Sequence, residues 1–521
     1  MFRKVYSAGL SGIEGYLVQV EADVSNGLPG FSMVGILASE VKEAQDRVRT
    51  ALKNSGYWFP AQKITVNLSP ADKRKGGTGY DLPIAVAILA AFGEICQEQL
   101  ESMALIGELG LDGEVKHVHG VLPLVIAAKE AGMKRCFLPV ENQEEGRAVP
   151  DMGIVGVQNL KDTIEWLKHP EWLPEKNQKK ELQHSSKYLS GNSMDGSGEY
   201  EKDFSQVNGQ LLLKRATEVA VAGQHNILYI GSPGTGKTMI AERIPSIMPS
   251  LSQEESLEIS KIYSICGLLK SSLISQRPFR NPHHFISQQA FAGGGMNPRP
   301  GELSLASRGV LFLDEFPEFP RWAIEVLRQP LENRNITISR VRGRYEFPAD
   351  FMLAVAMNPC PCGYYPDRNR CRCSENQVKR YLSKVSKPIL DRIDIYAEAS
   401  PVGYQELHTK QKNETSASIR KRIETARMIQ KERFSGTGIY FNSEMSPEML
   451  SQFCQLSEKE ERFFQSFFEK MGVSARGYGK ILKVARTIAD LEGEERIGHS
   501  HLCEAISYRR LEEKYWGGSE G

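Results

Sequence analysis

The chain has 521 residues, 65 Lys+Arg against 64 Asp+Glu, a formal net charge of +1 and 40% hydrophobic residues. That length suits several domains, each able to bury its own core, and the charge balance excludes nucleic-acid binding by bulk charge, so any such contact needs a local basic patch. The longest apolar stretch, Leu82 to Phe92, is too short to span a bilayer, no signal-peptide hydrophobic region opens the chain, and nine cysteines without secretory context fit a reducing compartment; the expectation is a cytoplasmic protein with no membrane partner.

Residues 1–168 alternate strands and helices. Ile64 to Leu68 and Cys136 to Val140 read as strands, Leu82 to Phe92 and Leu122 to Ala131 as helices. Lys73, Arg74 and Lys75 beside Gly76 and Gly77 suit a phosphate contact, but so short a charge run favours a solvated loop. Over 169–203 the composition turns to Pro, Lys, Gln, Ser and Gly. Such a segment cannot bury enough apolar surface to fold, which predicts a flexible linker.

Ile227 to Ile230 reads as a strand that runs into Gly231, Ser232, Pro233, Gly234, Thr235, Gly236, Lys237 and Thr238. These eight residues match G-x-x-x-x-G-K-[ST] at every fixed position, and a helix-like segment follows, the context this motif needs. The glycines let backbone N–H groups close around phosphate oxygens. Lys237 reaches the β/γ-phosphates and the Thr238 hydroxyl ligates Mg²⁺, which predicts a site for ATP and Mg²⁺. Further on, His283 and His284, set among Arg277, Arg280 and several prolines, suit either DNA contact or loop packing. The apolar run Val310 to Leu313 ends in Asp314 and Glu315. At the end of a buried strand, Asp314 is placed to hold Mg²⁺ through water and Glu315 to polarise the attacking water.

Asn335 to Arg340 and Tyr345 to Pro348 flank a turn with Gly343 near its tip, a hairpin signal. Arg340, Arg342 and Arg344 cluster there, as a track for DNA phosphates or as charge that keeps an exposed hairpin soluble. Phe351 to Met357 is a third apolar run, and Asn358 at its end is placed to orient water against the γ-phosphate; the alternative is a turn residue before Pro359. Cys360, Cys362, Cys371 and Cys373 form two C-x-C pairs. Four thiolates suit a closed, structural Zn²⁺ site, although C-x₂-C is the usual spacing; free thiols in a loop shaped by Pro359, Pro361 and Gly363 are the alternative. Arg392, between Asp391 and Asp394, fits either a charge supplied to a neighbour's γ-phosphate or a surface ion pair. Beyond Thr415 the chain reads as helical, with a capping-box pattern from Ser457 to Glu460. Arg476 opens a helix carrying Ile481, Val484, Ala485, Ile488 and Leu491 on one stripe, from which it can reach the nucleotide.

The strings Arg277-Pro-Phe-Arg-Asn-Pro-His-His284, Pro300-Gly-Glu-Leu-Ser-Leu-Ala306, Leu327-Arg-Gln-Pro-Leu-Glu332 and Met357-Asn-Pro-Cys-Pro-Cys-Gly363 resemble the magnesium-chelatase-like AAA+ ATPases of the ComM/YifB type. The resemblance runs from Gly9 to about Arg510. It implies an α/β fold, with an AAA+ P-loop core over 204–400 and a C-terminal helical lid over 401–521. By it Arg392 is a trans-acting arginine finger, Asn358 the sensor-one residue and Arg476 the sensor-two residue. It implies a homo-oligomeric ring, a hexamer with nucleotide between subunits, whose hairpins point into the central channel. It also implies a motor on single-stranded or branched DNA that promotes branch migration, with recombination proteins, as transforming DNA is integrated. A chelatase-type or chaperone-like ATPase that remodels a protein partner is the competing reading, distinguished by its indifference to DNA.

The strings Asn67-Leu-Ser-Pro-Ala71, Lys75-Gly-Gly-Thr-Gly-Tyr-Asp-Leu-Pro83 and Gly120-Val-Leu-Pro-Leu-Val-Ile-Ala-Ala128 resemble an α+β Lon-protease-like domain of the ribosomal S5 domain 2 type, over 1–168. Lon-type proteolysis needs a serine nucleophile activated by a lysine. Here the serine's place falls on Gly79 and the lysine's on Leu122, and no lysine is in register with Thr78. A proteolytically inactive domain is expected.

Overall fold

The structure, a computed structural model, describes residues 1–59, 61–169, 171, 200–270, 272–295, 297–340, 343–401, 403–404, 413–471 and 475–517. Most of the 169–203 segment and Arg342 lie outside the described residues.

The N-terminal part is built on a seven-stranded mixed sheet of β1 (Phe2–Ser11), β2 (Glu14–Ser25), β3 (Gly30–Val34), β4 (Lys63–Ser69), β5 (Met103–Leu105), β6 (Arg135–Pro139) and β7 (Gly153–Val157), in the order β3-β4-β2-β1-β5-β6-β7. β1, β2 and β4 pair antiparallel and the remaining neighbours pair parallel. In β4 the period of two puts Ile64, Val66 and Leu68 on one buried face. The helix α1 (Asp81–Ala91) has no polar stripe because every one of its residues is buried. A second helix, α2 (Val121–Glu130), packs against β1 and β2.

The nucleotide-motif half holds a five-stranded sheet. Its strands are β8 (Ile227–Gly231), β9 (Phe279–Arg280), β10 (Val310–Leu313), β13 (Met352–Met357) and β14 (Ile395–Ala399); a separate hairpin of β11 (Asn335–Arg340) and β12 (Gly343–Pro348) precedes β13. The sheet order is β9-β10-β13-β8-β14 and every neighbouring pair is parallel. β8, β10 and β13 are buried at every residue, as expected of parallel strands covered on both faces. In the hairpin, ladder pairing continues to Arg340↔Gly343, so Arg344 sits opposite Ser339 within a strand rather than in the turn.

Three helices join the two halves of the molecule to each other and to the C-terminal part. α3 (Gln253–Ile265) packs on α2. The Gly120 N–H donates to the Ser264 carbonyl at 3.1 Å, Lys261 pairs with Glu14 at 3.4 Å, and the Ser264 hydroxyl bonds the Glu145 carboxylate. α4 (Ala475–Glu492) and α5 (His499–Trp516) form the lid with the helix Ser416–Arg433. The Lys514 ammonium and the Tyr515 hydroxyl both bond Glu398, which fastens α5 to the sheet beside β8.

The lid is organised around one buried carboxylate. Asp490 accepts hydrogen bonds from Arg433 (2.7 Å), Arg486 (3.1 Å) and the Asn442 amide (2.8 Å), and its side chain is fully buried. Removing one partner of a buried ion pair leaves its counterpart uncompensated, at a cost of about 3–5 kcal/mol. Asp490→Ala should therefore raise amide hydrogen exchange across α4 strongly, while β1 and β2 keep wild-type protection; equal exchange in α4 would show that the arginines find other partners.

Candidate active site

The strand β8 delivers Gly231 to the carboxyl edge of the parallel sheet, and the chain then turns into the short helix Lys237–Ala241. Gly234 and Gly236 take φ of +76° and +84°, the left-handed region, and no heavy atom lies within 4 Å of where their Cβ atoms would be. The loop is thus an open cradle of N–H groups that fits phosphate oxygens. Lys237 is folded inward. Its ammonium donates to the carbonyls of Gly231 (2.7 Å) and Ser232 (2.9 Å) and to Asn358 Oδ1 (3.3 Å). Burial lowers its pKa from the ordinary 10.5 to about 8, against the attraction of Asp314.

The acidic groups meet the loop from the next strands. The Thr238 hydroxyl donates to Asp314 Oδ2 at 2.6 Å, so the two groups suited to Mg²⁺ already converge. The Asp314 Oδ1 accepts the Glu315 N–H at 2.8 Å. Glu315 holds φ at +51°, rare for a residue with a side chain. Such strained backbone gathers at functional sites, and here it turns a 61%-exposed carboxylate into the open cleft. The cleft has a volume of about 650 Å³; the phosphate loop lines one side, and Asp314, Glu315 and Asn358 the other. A hydroxyl–carboxylate pair, a basic ammonium and an open N–H cradle fit a nucleoside triphosphate with Mg²⁺.

Sequence reasoning left His283 and His284 between DNA contact and loop packing. Both line this cleft, with Asn281 and Pro282. His284 Nδ1 lies 3.7 Å from Glu315 Oε2, and its ring packs on His283 (4.1 Å) and on Phe285 (4.4 Å), itself 85% exposed. The signal that places them was available: they follow Arg280 at the carboxyl end of β9, which pairs with β10.

Other expected residues lie outside the cleft. The Arg392 guanidinium pairs with the Glu332 carboxylate and bonds the Pro388 carbonyl. Arg476, 73% exposed, pairs with Asp391 at 3.6 Å, next to Arg392 rather than over the nucleotide loop of its own chain. Arg340 and Arg344 are exposed on the hairpin. Cys360, Cys362, Cys371 and Cys373 gather in a loop directly after Asn358, all four Sγ atoms within 4.8 Å of one another. At the protease-like position Gly79 has no side chain, and Leu122 is fully buried with its N–H on Glu145 (2.9 Å).

Comparison with known proteins finds three family models along the chain. "Subunit ChlI of Mg-chelatase" matches residues 20–142, "Magnesium chelatase, subunit ChlI" residues 203–407, and "Magnesium chelatase, subunit ChlI C-terminal" residues 413–509. Competence protein ComM of Haemophilus influenzae is 41% identical over 509 residues, 97% of each chain. The uncharacterized protein YifB of Escherichia coli is 40% identical over 515 residues, 98% of this chain and 97% of that protein. Lon protease 2 of Bacillus subtilis is 29% identical over 131 residues, 24% of this chain and 23% of that protein.

Two outcomes follow from the geometry. Phosphates facing Lys237 stabilise its charged form and raise its pKa from about 8. Above that pH, ATP binding should therefore take up a proton, and affinity should fall as pH rises. Titration calorimetry in buffers of different ionisation enthalpy measures this, and Lys237→Ala should lose both the proton uptake and most of the binding. Glu315→Gln should retain ATP binding and slow hydrolysis by about 10²-fold or more, the range of a general base; normal turnover would remove Glu315 from the reaction.

Proposed function

The chain belongs to the magnesium-chelatase-like AAA+ family, with ComM and YifB, and on that premise we propose that it is an ATP-hydrolysing ring motor acting on DNA. In this reading it is a branch-migration helicase or translocase that aids integration of transforming DNA by recombination. The observation that carries it is the single cleft where Lys237, Thr238, Asp314, Glu315 and Asn358 converge, in a chain 41% identical to a protein named for competence. The exposed Arg340 and Arg344 on a hairpin that ends three residues before the sheet strand β13 supply the local basic patch that a net charge of +1 requires.

In this assignment the loop N–H groups and Lys237 bind the phosphates, and Thr238 and Asp314 hold Mg²⁺, Asp314 through water. Bound Mg²⁺ neutralises charge on the β- and γ-oxygens. Glu315 polarises the attacking water, and Asn358, released from Lys237, orients it. In this reading Arg392, which pairs with Glu332 outside its own cleft, leaves that partner to act on the neighbour's nucleotide in a homo-hexameric ring, and Arg476, paired with the adjacent Asp391, serves as the sensor-two residue. The cofactors are ATP and Mg²⁺, with a structural Zn²⁺ suited to the four cysteines. The partners are copies of the same chain, single-stranded or branched DNA, and recombination proteins, in the cytoplasm.

Steady-state ATPase with no DNA, single strands, duplex and a four-way junction tests this. Single strands or junctions should stimulate turnover, and stimulation should weaken with salt as phosphate contacts do. Replacing Arg340, Arg342 and Arg344 together by Ala should leave basal turnover intact and remove the stimulation. A flat response to every DNA, with basal turnover intact, would overturn the DNA motor in favour of a protein-remodelling ATPase. Arg392→Ala should slow turnover by about 10³-fold or more, as arginine fingers do, and mixing it with Lys237→Ala subunits should restore part of the activity if the two act on different chains' nucleotide.

A further inference from the structure

The loop that follows Asn358 brings four sulfurs together at distances that are informative in themselves. Cys360 Sγ is 3.4 Å from Cys362 Sγ and 3.7 Å from Cys371 Sγ, and Cys362 Sγ is 3.6 Å from Cys371 Sγ. A disulfide needs about 2.05 Å, so these are not bonded pairs. A tetrahedral Zn²⁺ with Zn–S bonds of about 2.3 Å sets its sulfurs roughly 3.8 Å apart, close to the spacing found. The local backbone supports the same centre. The Tyr365 N–H points at Cys360 Sγ (3.4 Å), and the Gly363 N–H and Cys371 N–H close turns on the Cys360 and Asp367 carbonyls. Such N–H to sulfur contacts are the outer support that metal thiolates need. Four thiolates also leave no position for water, which makes the site structural rather than catalytic.

The loop is wedged between the two parts of the molecule that a nucleotide must coordinate. On one side it rests on the phosphate loop: Gly363 has φ of +84°, and a Cβ there would lie 2.5 Å from Pro233 Cδ. On the other it meets the lid, where the Tyr365 ring packs edge-on against Tyr515 at 6.4 Å, on the helix that Glu398 fastens to the sheet. A half-open cavity of about 280 Å³ lies between Ser232, Tyr364, Tyr365, Glu398 and Tyr515. Arg370 covers the Tyr364 ring at 4.1 Å and Arg368 the Tyr365 ring at 5.2 Å. Without a crosslink, a run of this length held by turns and ring contacts has little to resist fluctuation.

We propose that Cys360, Cys362, Cys371 and Cys373 bind one Zn²⁺, and that the metal-closed loop is a brace that holds the phosphate loop and the lid helix α5 in fixed relation. Its consequence for nucleotide grip rests on reading the cleft as an ATP site; the brace itself does not. The experiment uses the full chain. Metal content is measured by elemental analysis on protein purified under reducing conditions, and hydrogen exchange of residues 231–238 and 499–516 is compared in protein as purified, after zinc is stripped with a thiol reagent and chelator, and after ZnSO₄ is added back to the re-reduced protein. One zinc per chain, faster exchange in both segments on stripping, and recovery on re-addition are expected. Cys371→Ser should lose the zinc, and stripping and reloading of the wild-type chain gives the same readout should that variant fail to fold. A folded chain that holds no zinc, or exchange in both segments that ignores its removal, would overturn the brace. Binding of a fluorescent ATP analogue to the loaded protein checks the cleft separately: its failure would remove the nucleotide reading and leave the exchange difference standing.

Discussion

The convergence of β8, β13 and β10 on one edge of a parallel sheet is the constraint on which the rest depends. Gly231, Asn358 and Asp314 stand at the ends of three adjacent strands, and the Thr238–Asp314 and Lys237–Asn358 bonds form because those strands run in the same direction and in register. Each strand is buried on both faces, so its register is fixed by packing on two sides. Ligand sites of open parallel sheets lie beyond such carboxyl ends. The polar groups of the cleft are therefore positioned by the buried apolar residues of these strands.

Around that edge, charge pairs tie moving parts to the sheet. Asp394 is 12% exposed; burial alone would raise its pKa, but Lys480 and His225 reverse this and hold it well below the carboxylate range. Asp391, three residues earlier, pairs with Arg476. Arg476 and Lys480 are one turn apart on α4, so Arg392 is flanked by two aspartates held by one lid helix. Both aspartates that flank Arg392 in the chain are thereby tied to α4, while Arg392 itself pairs with Glu332.

How much of this was legible in the sequence follows from the range over which each signal acts. The phosphate loop is eight consecutive residues, and the acidic pair and Asn358 each close an apolar run, so local pattern sufficed to find them; the strands around Ile64 and Cys136 and the helices from Leu82 and Leu122 appear within a residue of their expected ends. What sequence pattern missed is adjacency between distant segments. His284 faces Glu315 only because β9 pairs with β10. The pairing of Arg476 with Asp391 is likewise set by how α4 lies on the sheet. The cysteine spacing argued weakly for a metal, since C-x-C pairs are unusual; folding of the loop over Pro233 is what brings the four sulfurs together.

The N-terminal domain shows a protease-like framework put to another physical use. Lon chemistry would require a lysine at position 122, acting as its neutral amine, and a hydroxyl at position 79. Leu122 is instead fully buried at the start of α2, its N–H on Glu145, whose carboxylate also bonds Ser264 of the ATPase half. Gly79 lies beside Ile106 and Val118, whose methyl groups would stand 3.3 and 3.4 Å from a Cβ at that position. The same seam extends to the arginine hairpin, where Ile13 from the β1–β2 turn packs with the cluster that contains Ile338 and Phe347. Leu122 and Glu145 thus belong to the surface that meets α3 through Ser264, and the β1–β2 turn meets the base of the hairpin through Ile13.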